Sequence, residues 1–407
     1  AKHYFVLTPM DDHLAFTCAF TSTAPSTQPV TVAQTQEEAK NYWNSFWKEG
    51  AAVDFSACTD PRAKELERRV ILSQYLLAIQ SAGTLWNRSN LLDRTLGWYE
   101  KAEPIARQIA QRQGFDGVRW MKMTDPSGTE APSKVGSFLI WQQPHLIYLA
   151  ELLYRADPTK EVLEKYNRLV QETAEFMYSF ATYDELEGRY VLKGAIPAQE
   201  TLRAAETINP PFELSYWHFA MQTAQQWRER MGQQRSLEWD EMIDKLSPLA
   251  SNNEGLYLAA ETAIDTYKDI RYTSDHMAVL GAVGILPMNK LIREDYMKNT
   301  LHWIWDNWNW GKTWGWDYPM TAMNAARLGE PEKAVGALLM DKRTNTYLPN
   351  GHNYQDGRLR IYLPGNGGLL TAIAMMCAGW DGCTETNPGF PKDGTWNVRW
   401  EGLKPLP

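Results

Sequence analysis

The stretch Gly-Arg-Tyr-Val-Leu-Lys-Gly-Ala-Ile-Pro-Ala-Gln-Glu-Thr occupies residues 188–201, between two strongly helical segments. Its carboxylate, Glu200, stands on a turn-prone Pro-Ala-Gln-Glu segment rather than inside a helix. Carboxylates that perform chemistry are often held on loops above a rigid scaffold. A solvated surface glutamate explains the local sequence as well as a catalytic one does. The rest of the chain is needed to distinguish the two.

From Thr35 onward the apolar residues recur at helical spacing, first over Glu37–Lys48. Asp60-Pro61 then begins a helix, because proline is favoured at the first helical position. Further helices are predicted at 90–112, 135–155, 158–182, 212–231, 235–248, 257–267, 275–285, 291–308, 319–328, 330–339 and 366–378. They come in pairs joined by loops rich in Gly, Pro, Asp and Trp.

This arrangement of consecutive helical hairpins predicts a mainly α fold, an (α/α)6 toroid whose inner helices line a central funnel. An irregular helical bundle is the alternative. A solenoid is disfavoured, since no repeat of fixed length is visible in the sequence.

The two ends of the chain differ from this helical middle. Residues 3–21 predict two strands around a Pro-Met-Asp-Asp turn, and a Ser/Thr/Pro-rich linker follows. An isolated hairpin is marginal by itself, so the strands are expected to belong to a larger sheet. We therefore predict three parts: strands and linker at 1–33, the toroid at 34–386, and a Pro-rich tail at 387–407 with a strand at Thr395–Trp400.

Composition restricts the function. The chain has 407 residues with 18 Trp, 19 Tyr and 12 Phe, more indole than a core alone needs. Aromatic faces suit the apolar faces of sugars, although some of these rings must belong to the core. The net charge of −8 without a basic stripe argues against nucleic acid as a partner, and no apolar run predicts a membrane span.

The cysteines and the first residues add three expectations. Cys18, Cys58, Cys377 and Cys383 form no Cys-x-x-Cys pair, and no His/Asp/Glu spacing suggests a metal, so no metal or cofactor is predicted. The opening Ala-Lys-His-Tyr-Phe shows no signal peptide, and a processed or truncated start is expected. The oligomeric state is left open.

Several motifs resemble those of known glycosidases. Gly194–Thr201 resembles, at equal length, the loop Gly-Val-Thr-Gly-Pro-Asp-Glu-Tyr of glycoside hydrolase family 65, with Glu200 at the general acid. Gln113–Trp120 and Thr273-Ser-Asp-His276 are similar to two further motifs of that family. The run from Tyr362, Tyr-Leu-Pro-Gly-Asn-Gly-Gly, resembles family 95 instead. The likeness spans most of residues 60–382 and indicates the six-hairpin glycosidase superfamily.

The resemblance carries further expectations. In these families a β-sandwich precedes the toroid, which would account for the strands at 3–21 as its remnant or edge. Periplasmic or secreted localisation is expected by analogy. Two departures stand out: Pro364 replaces an aspartate that family 95 uses in base chemistry, and Leu85 runs directly into Trp86 where relatives carry a Trp/His/acid-rich segment. Residues are therefore expected to be missing between Leu85 and Trp86.

The expected chemistry needs two carboxyl groups. Inverting glycosidases hold an acid and a base about 6.5–9.5 Å apart, and retaining ones about 5–5.5 Å. Glu200 is the predicted acid, made a proton donor by apolar neighbours such as Ile196. Asp317 and Glu213 are the candidate bases, although each also fits a structural role at the start of a helix, as does Asp275.

The predicted function is an inverting glycoside hydrolase acting on an oligosaccharide or a polysaccharide-derived glycan. A glycoside phosphorylase, a polysaccharide lyase on the same toroid and a non-catalytic carbohydrate-binding protein are the alternatives. Trp314 and Trp316 are the best-placed sugar contacts, because Gly315 lets one loop present both rings. The full set of predicted contacts is Trp120, Lys122, Trp141, Gln142, His145, Trp217, Trp314, Trp316, His352 and Asn366.

Overall fold

The computed structural model describes residues 30–80 and 89–407, together with 6–9, 12, 14–18 and 28. The chain divides into two compact units, Ala1–Ala51 and Ala52–Pro407. This division lies later in the chain than the boundary predicted at residue 33.

The first unit contains one long helix, α1 (Val32–Lys48). It begins five residues before the predicted start because Thr31 and Gln34 form a capping box. The Thr31 hydroxyl accepts from the Gln34 amide, and the Gln34 side chain accepts from the Thr31 amide. Within the predicted strands at 3–21, residues 6–9 and 14–18 have no regular secondary structure, and most of the others lie outside the described residues. The sandwich remnant therefore stays a prediction.

The second unit is mainly helical. Its α-helices are α2 (Ala63–Gln80), α3 (Ser89–Gln113), α4 (His145–Ala156), α5 (Lys160–Phe180), α6 (Pro211–Arg230), α7 (Leu237–Lys245), α8 (Glu294–Asn307), α9 (Asp317–Arg327), α10 (Pro331–Leu339) and α11 (Leu363–Ala378). Short antiparallel pairs join β1 (Ala52–Asp54) to β6 (Arg399–Glu401), β2 (Thr182–Asp184) to β3 (Arg189–Val191), and β4 (Thr346–Tyr347) to β5 (Asn353–Tyr354). The tail strand β6 is shorter than the strand predicted at Thr395–Trp400 and shares only residues 399 and 400 with it; it pairs with β1 at the start of this unit.

Burial separates the helices into two sets. Ten of the eleven residues of α9 and fifteen of the twenty residues of α6 are buried, whereas seven of the twenty-five residues of α3 are. A helix that is buried on all sides belongs to the interior, and one with a polar face lies at the surface. Helices α6 and α9 are therefore inner helices, and α3 is an outer one.

Contacts along the helices show that members of one set run in the same direction. Among the inner helices, His145 of α4 bonds Tyr216 of α6, and Glu151 of α4 bonds Arg230 further along α6. Among the outer helices, Asp93 of α3 pairs with Lys165 of α5, and Arg107 of α3 pairs with Glu172 of α5. From α3 onward, outer and inner elements alternate along the chain, as the predicted hairpin toroid requires.

Helix α2 also belongs to the outer set. Arg62, just before α2, pairs with Glu332 at the start of α10, and Arg69 donates to the Leu338 carbonyl at its end. Two outer helices, α2 and α3, therefore follow each other, separated by residues 81–88. The inner helices α4, α6, α9 and α11 have 11 to 20 residues, and no described residue provides an inner helix between α2 and α3. The expected loss of residues between Leu85 and Trp86 concerns this segment, lies outside the described residues and stays a prediction.

Two predicted helices were wrong. Residues 257–267 form turns because polar side chains bond the backbone locally: the Thr266 hydroxyl accepts from the Ala259 amide at 3.0 Å. Residues 275–285 contain only the 3₁₀ helix Ala278–Ala282. Gly284, at φ 140°, interrupts this segment where its backbone passes so close to α9 that a Cβ would lie 2.9 Å from the Asn324 amide nitrogen. This short helix still takes an inner position, in contact with α6 and α9.

None of the described helices has both the length and the apolar character needed to cross a bilayer.

Asn324 links the short inner helix to α9, and its loss should be costly. It is fully buried, and its Nδ2 donates to the carbonyls of Leu280 at 3.1 Å and Val283 at 2.9 Å. Asn324→Leu leaves both carbonyls without this donor, so we expect the free energy of unfolding to fall by about 2–4 kcal/mol in urea titrations. Asn299→Leu, at an exposed position of α8, is the control and should change it by less than about 0.5 kcal/mol. Equal effects of the two changes would contradict this assignment.

Candidate active site

A cavity of about 730 Å³ lies at the beginning of the inner helices. Each described inner element contributes to its wall: His145 from α4, Phe212 from α6, Gly281 from the 3₁₀ helix, Met320 from α9 and Gly368 from α11. The loops that lead into these helices supply the remaining lining side chains. The sequence-predicted funnel therefore corresponds to a real cavity.

The loop that carries Glu200 follows the β2–β3 hairpin and leads into α6. Its backbone is fixed on both sides of Glu200. The Ala198 amide donates to Oε1 of Glu213 at 2.6 Å, and the Thr201 amide donates to Oδ2 of Asp275 at 2.8 Å. Two carboxylates from different elements thus hold this segment, which we call the acid loop (residues 194–202).

Glu200 lines the cavity, with about a third of its side chain exposed. Its Oε1 lies 2.5 Å from Nζ of Lys122, and the same Nζ lies 5.2 Å from the ring centroid of Trp141. Apolar neighbours were expected to surround this carboxyl group. Its immediate partner is instead the cationic Lys122.

Aromatic rings form one wall of the cavity. Trp141 and Trp316 are stacked, with centroids 6.0 Å apart and planes at 19°, and Trp314 lies 5.7 Å from Tyr362. Both loop tryptophans line the cavity, and Gly315 between them allows the close approach of Asn353, since a Cβ there would lie 1.8 Å from Asn353 Oδ1. Flat, partly exposed indoles provide the stacking surface that sugar faces require.

Asp317 lies behind this wall rather than in it. It is fully buried, accepts a hydrogen bond from Nδ1 of His276 at 3.0 Å, and accepts another from the Trp314 amide at 2.8 Å. Burial lowers the pKa of His276, but the neighbouring Asp317 carboxylate outweighs this effect and raises it above its usual value. His276, not Asp317, faces the cavity.

Asp275 is the second carboxylate of the cavity wall, and the sequence favoured only a capping role for it. Burial raises the pKa of Asp275. It adjoins His276 in the Thr-Ser-Asp-His motif, which was the available signal. What the sequence did not show is that this motif meets the acid loop at Thr201.

Glu213 is fully buried, and its side chain is not part of the cavity lining. Oε1 accepts from Ala198, whereas Oε2 has no hydrogen-bond partner among the described residues. Burial raises the pKa of Glu213 to about 7, partly opposed by the backbone amides that bond it. This group therefore titrates near neutral pH.

The predicted sugar contacts divide into two groups. Those that line the cavity are Lys122, Trp141, His145, Trp314 and Trp316. Those that lie outside its lining are Trp120, Gln142, Trp217, His352 and Asn366. Most of the second group make structural hydrogen bonds: Trp120 to Thr173, Gln142 to the Trp120 carbonyl, Trp217 to the Met177 carbonyl and Asn366 to Ser73.

His145 is a neutral group in this wall. Its Nδ1 shares a hydrogen bond of 2.9 Å with the Tyr216 hydroxyl, and burial lowers its pKa to about 4. Within the described part of the chain, no group of three His, Cys, Asp or Glu side chains could hold a metal ion.

Comparison with known proteins identifies the fold. No family model matches the sequence, and no curated protein matches it. The alternating outer and inner helices of the second unit form an (α/α)6 toroid. A solved structure with this fold is a protein from the human microbiome that carries the provisional name kojibiose phosphorylase.

The two chains superpose with a TM-score of 0.65 at 10% sequence identity. The match covers 92% of this chain and 64% of the other, so this chain spans less than two thirds of the length of that protein. At this identity the likeness shows the fold alone, and it confirms the predicted toroid.

The buried carboxyl of Glu213 predicts a pH-dependent stability. Its folded pKa of about 7 lies above the ordinary value of 4.5, so between these values the folded state keeps a proton that the unfolded state has lost. Stability from this group is complete below pH 4.5 and is lost as the pH rises through 7. Glu213→Gln removes this loss, so its stability relative to wild type should rise by on the order of 3 kcal/mol from pH 4.5 to 8.

Chemical denaturation of both proteins across this pH range provides the measurement. Only their difference matters, because every other titrating group is common to the two. A difference that stays constant with pH would show that Glu213 is ionised throughout.

Proposed function

We propose that this protein is a glycoside hydrolase that acts with inversion and uses Glu200 to protonate the leaving oxygen. The observation that supports this most is the placement of Glu200 in the central cavity, beside stacked tryptophans and one residue from the amide that Asp275 holds. An acid, a second carboxylate and a stacking surface are what glycosidic cleavage requires.

The charges of the cavity support a neutral sugar as substrate. The lysine among its described lining residues, Lys122, already pairs with Glu200, and the imidazole of His276 is already hydrogen-bonded to Asp317. An acidic sugar or a phosphate ion would need a cation free to receive it. Hydrolysis is therefore favoured over both phosphorolysis and lyase chemistry.

Asp275 is our candidate for the group that activates water. Of the three carboxylates first considered beside Glu200, it alone has its side chain in the cavity wall. Its raised pKa makes it a stronger base than an ordinary aspartate once it is ionised. Asp317 would orient His276, and Glu213 would support the acid loop.

Phosphorolysis is the second candidate, because the solved structure with the same fold carries a phosphorylase name. Phosphate would replace water as the attacking group, and no base would be needed. A reaction that requires added inorganic phosphate would support this alternative and overturn hydrolysis.

Glu200→Gln should abolish proton donation while keeping the shape of the side chain. We expect kcat to fall about 10²–10⁴-fold on oligosaccharides, the contribution of a positioned general acid. The loss should be much smaller on aryl glycosides, whose phenolate leaving group needs little protonation. Product release measured for both substrate classes tests this.

Glu206→Gln is the matched control, since Glu206 is an exposed glutamate shortly after the acid loop. It should retain full activity. Unchanged hydrolysis of oligosaccharides by Glu200→Gln would exclude Glu200 as the acid.

Asp275→Asn separates two roles of Asp275, the catalytic base and the acceptor that anchors the acid loop. The asparagine carbonyl can still accept from the Thr201 amide, so the acid loop stays in place while the base is lost. We expect kcat to fall by about 10²–10⁴-fold on oligosaccharides and aryl glycosides alike, because water must attack in both. Retained activity on aryl glycosides alone would indicate that Asp275 assists the acid rather than the water.

A further inference from the structure

We propose that Glu213 is a positioning residue that fixes the proton donor Glu200 through the backbone of Ala198. The proposal rests on the proposed function and adds to it the contact that keeps Glu200 in position. Glu213 acts without touching the substrate, since its side chain lies outside the cavity lining.

The contact is short and fully enclosed. Glu213 has no exposed surface, and its Oε1 lies 2.6 Å from the amide nitrogen of Ala198, which is itself 1% exposed. Ala198 lines the cavity and precedes Glu200 by two residues. The position of the Ala198 amide therefore determines the path of the backbone that leads to Glu200.

Glu213 couples the acid loop to the inner ring. It is the third residue of α6, where Pro211 begins the helix and fifteen of twenty residues are buried. Other hydrogen bonds tie the loop to irregular segments: Gln199 Nε2 donates to the Tyr272 carbonyl, and Thr201 donates to Asp275. Of these three contacts, only the one with Glu213 connects the acid loop to an α-helix of the ring.

Loss of this acceptor would displace the loop. A buried amide without a partner is destabilising, so the loop would move until the Ala198 amide finds another acceptor. A displacement of about 1 Å at a catalytic group is enough to lower the rate on the order of 100-fold. The effect would appear in kcat rather than in substrate binding.

The side-chain oxygen of Glu213 that accepts the hydrogen bond, rather than its charge, is what holds the Ala198 amide. Oε1 alone accepts from the Ala198 amide, and Oε2 has no hydrogen-bond partner among the described residues. Glutamine offers a carbonyl oxygen at the same place. It should therefore replace Glu213, whereas methionine, of similar length and without an acceptor, should not.

The experiment compares Glu213→Gln, Glu213→Met and Glu151→Met with the wild type. Glu151 is a second buried carboxylate of the ring. It pairs with Arg230 and accepts from Trp227, both on α6, so its variant controls for general destabilisation. Hydrogen exchange over residues 194–202 reports loop order without any substrate. Steady-state kinetics report kcat and KM separately.

We expect Glu213→Met to exchange faster over 194–202 and to lose about 10–100-fold in kcat, with KM within about twofold of wild type. Glu213→Gln should match the wild type in both measurements, and Glu151→Met should change stability alone. Unchanged exchange in Glu213→Met would overturn the proposal. So would a loss of kcat in Glu213→Gln as large as that in Glu200→Gln, because it would make Glu213 a chemical participant.

Failure of the proposed function is distinguishable from failure of this inference. It would appear as equal rates for the wild type and Glu200→Gln. Hydrogen exchange over residues 194–202 would still show whether Glu213 holds the acid loop.

Discussion

The hydrogen bond from the Ala198 amide to Glu213 fixes the loop that places Glu200 in the central cavity. The loop around Glu200 contains no regular secondary structure, so its backbone polar groups need partners from elsewhere. Glu213 meets the amide on one side of Glu200, and Asp275 meets the amide of Thr201 on the other. The acid is thereby fixed relative to α6 and to the segment that also supplies His276.

Holding a loop with buried carboxylates has a cost. Each carboxyl group is removed from water, and burial raises the pKa of both Glu213 and Asp275. A neutral side chain would support the backbone more cheaply at neutral pH. Under the proposed function the two groups have different tasks: Asp275 activates water, and Glu213 holds the loop that carries Glu200.

The sequence was sufficient for most helices and for the placement of Glu200 at the cavity, but it did not show that Asp275 meets the same loop. Most helices follow from apolar spacing within one segment, and Glu200 follows from a short motif. The predicted helix at 257–267 failed because the Thr266 hydroxyl bonds the backbone of Ala259, a choice that spacing does not reveal. Asp275 was interpreted as a helix cap because only its local sequence was visible. Its hydrogen-bond partner Thr201 lies 74 residues away in the chain.

Charge balance explains how an apolar, tryptophan-lined cavity tolerates several ionisable groups. Lys122 faces Glu200 and His276 faces Asp317, so these four side chains are paired before a ligand enters, whereas Asp275 accepts from the Thr201 amide. A neutral sugar leaves the His276 pair undisturbed and competes only for Lys122, whose exposed stem and cation–π contact with Trp141 allow it to move aside. An anion would have to break one pair and leave a carboxylate without its partner, a cost that grows as water is excluded. We therefore propose that the pairing of Lys122 and His276 favours uncharged sugars as ligands of the cavity.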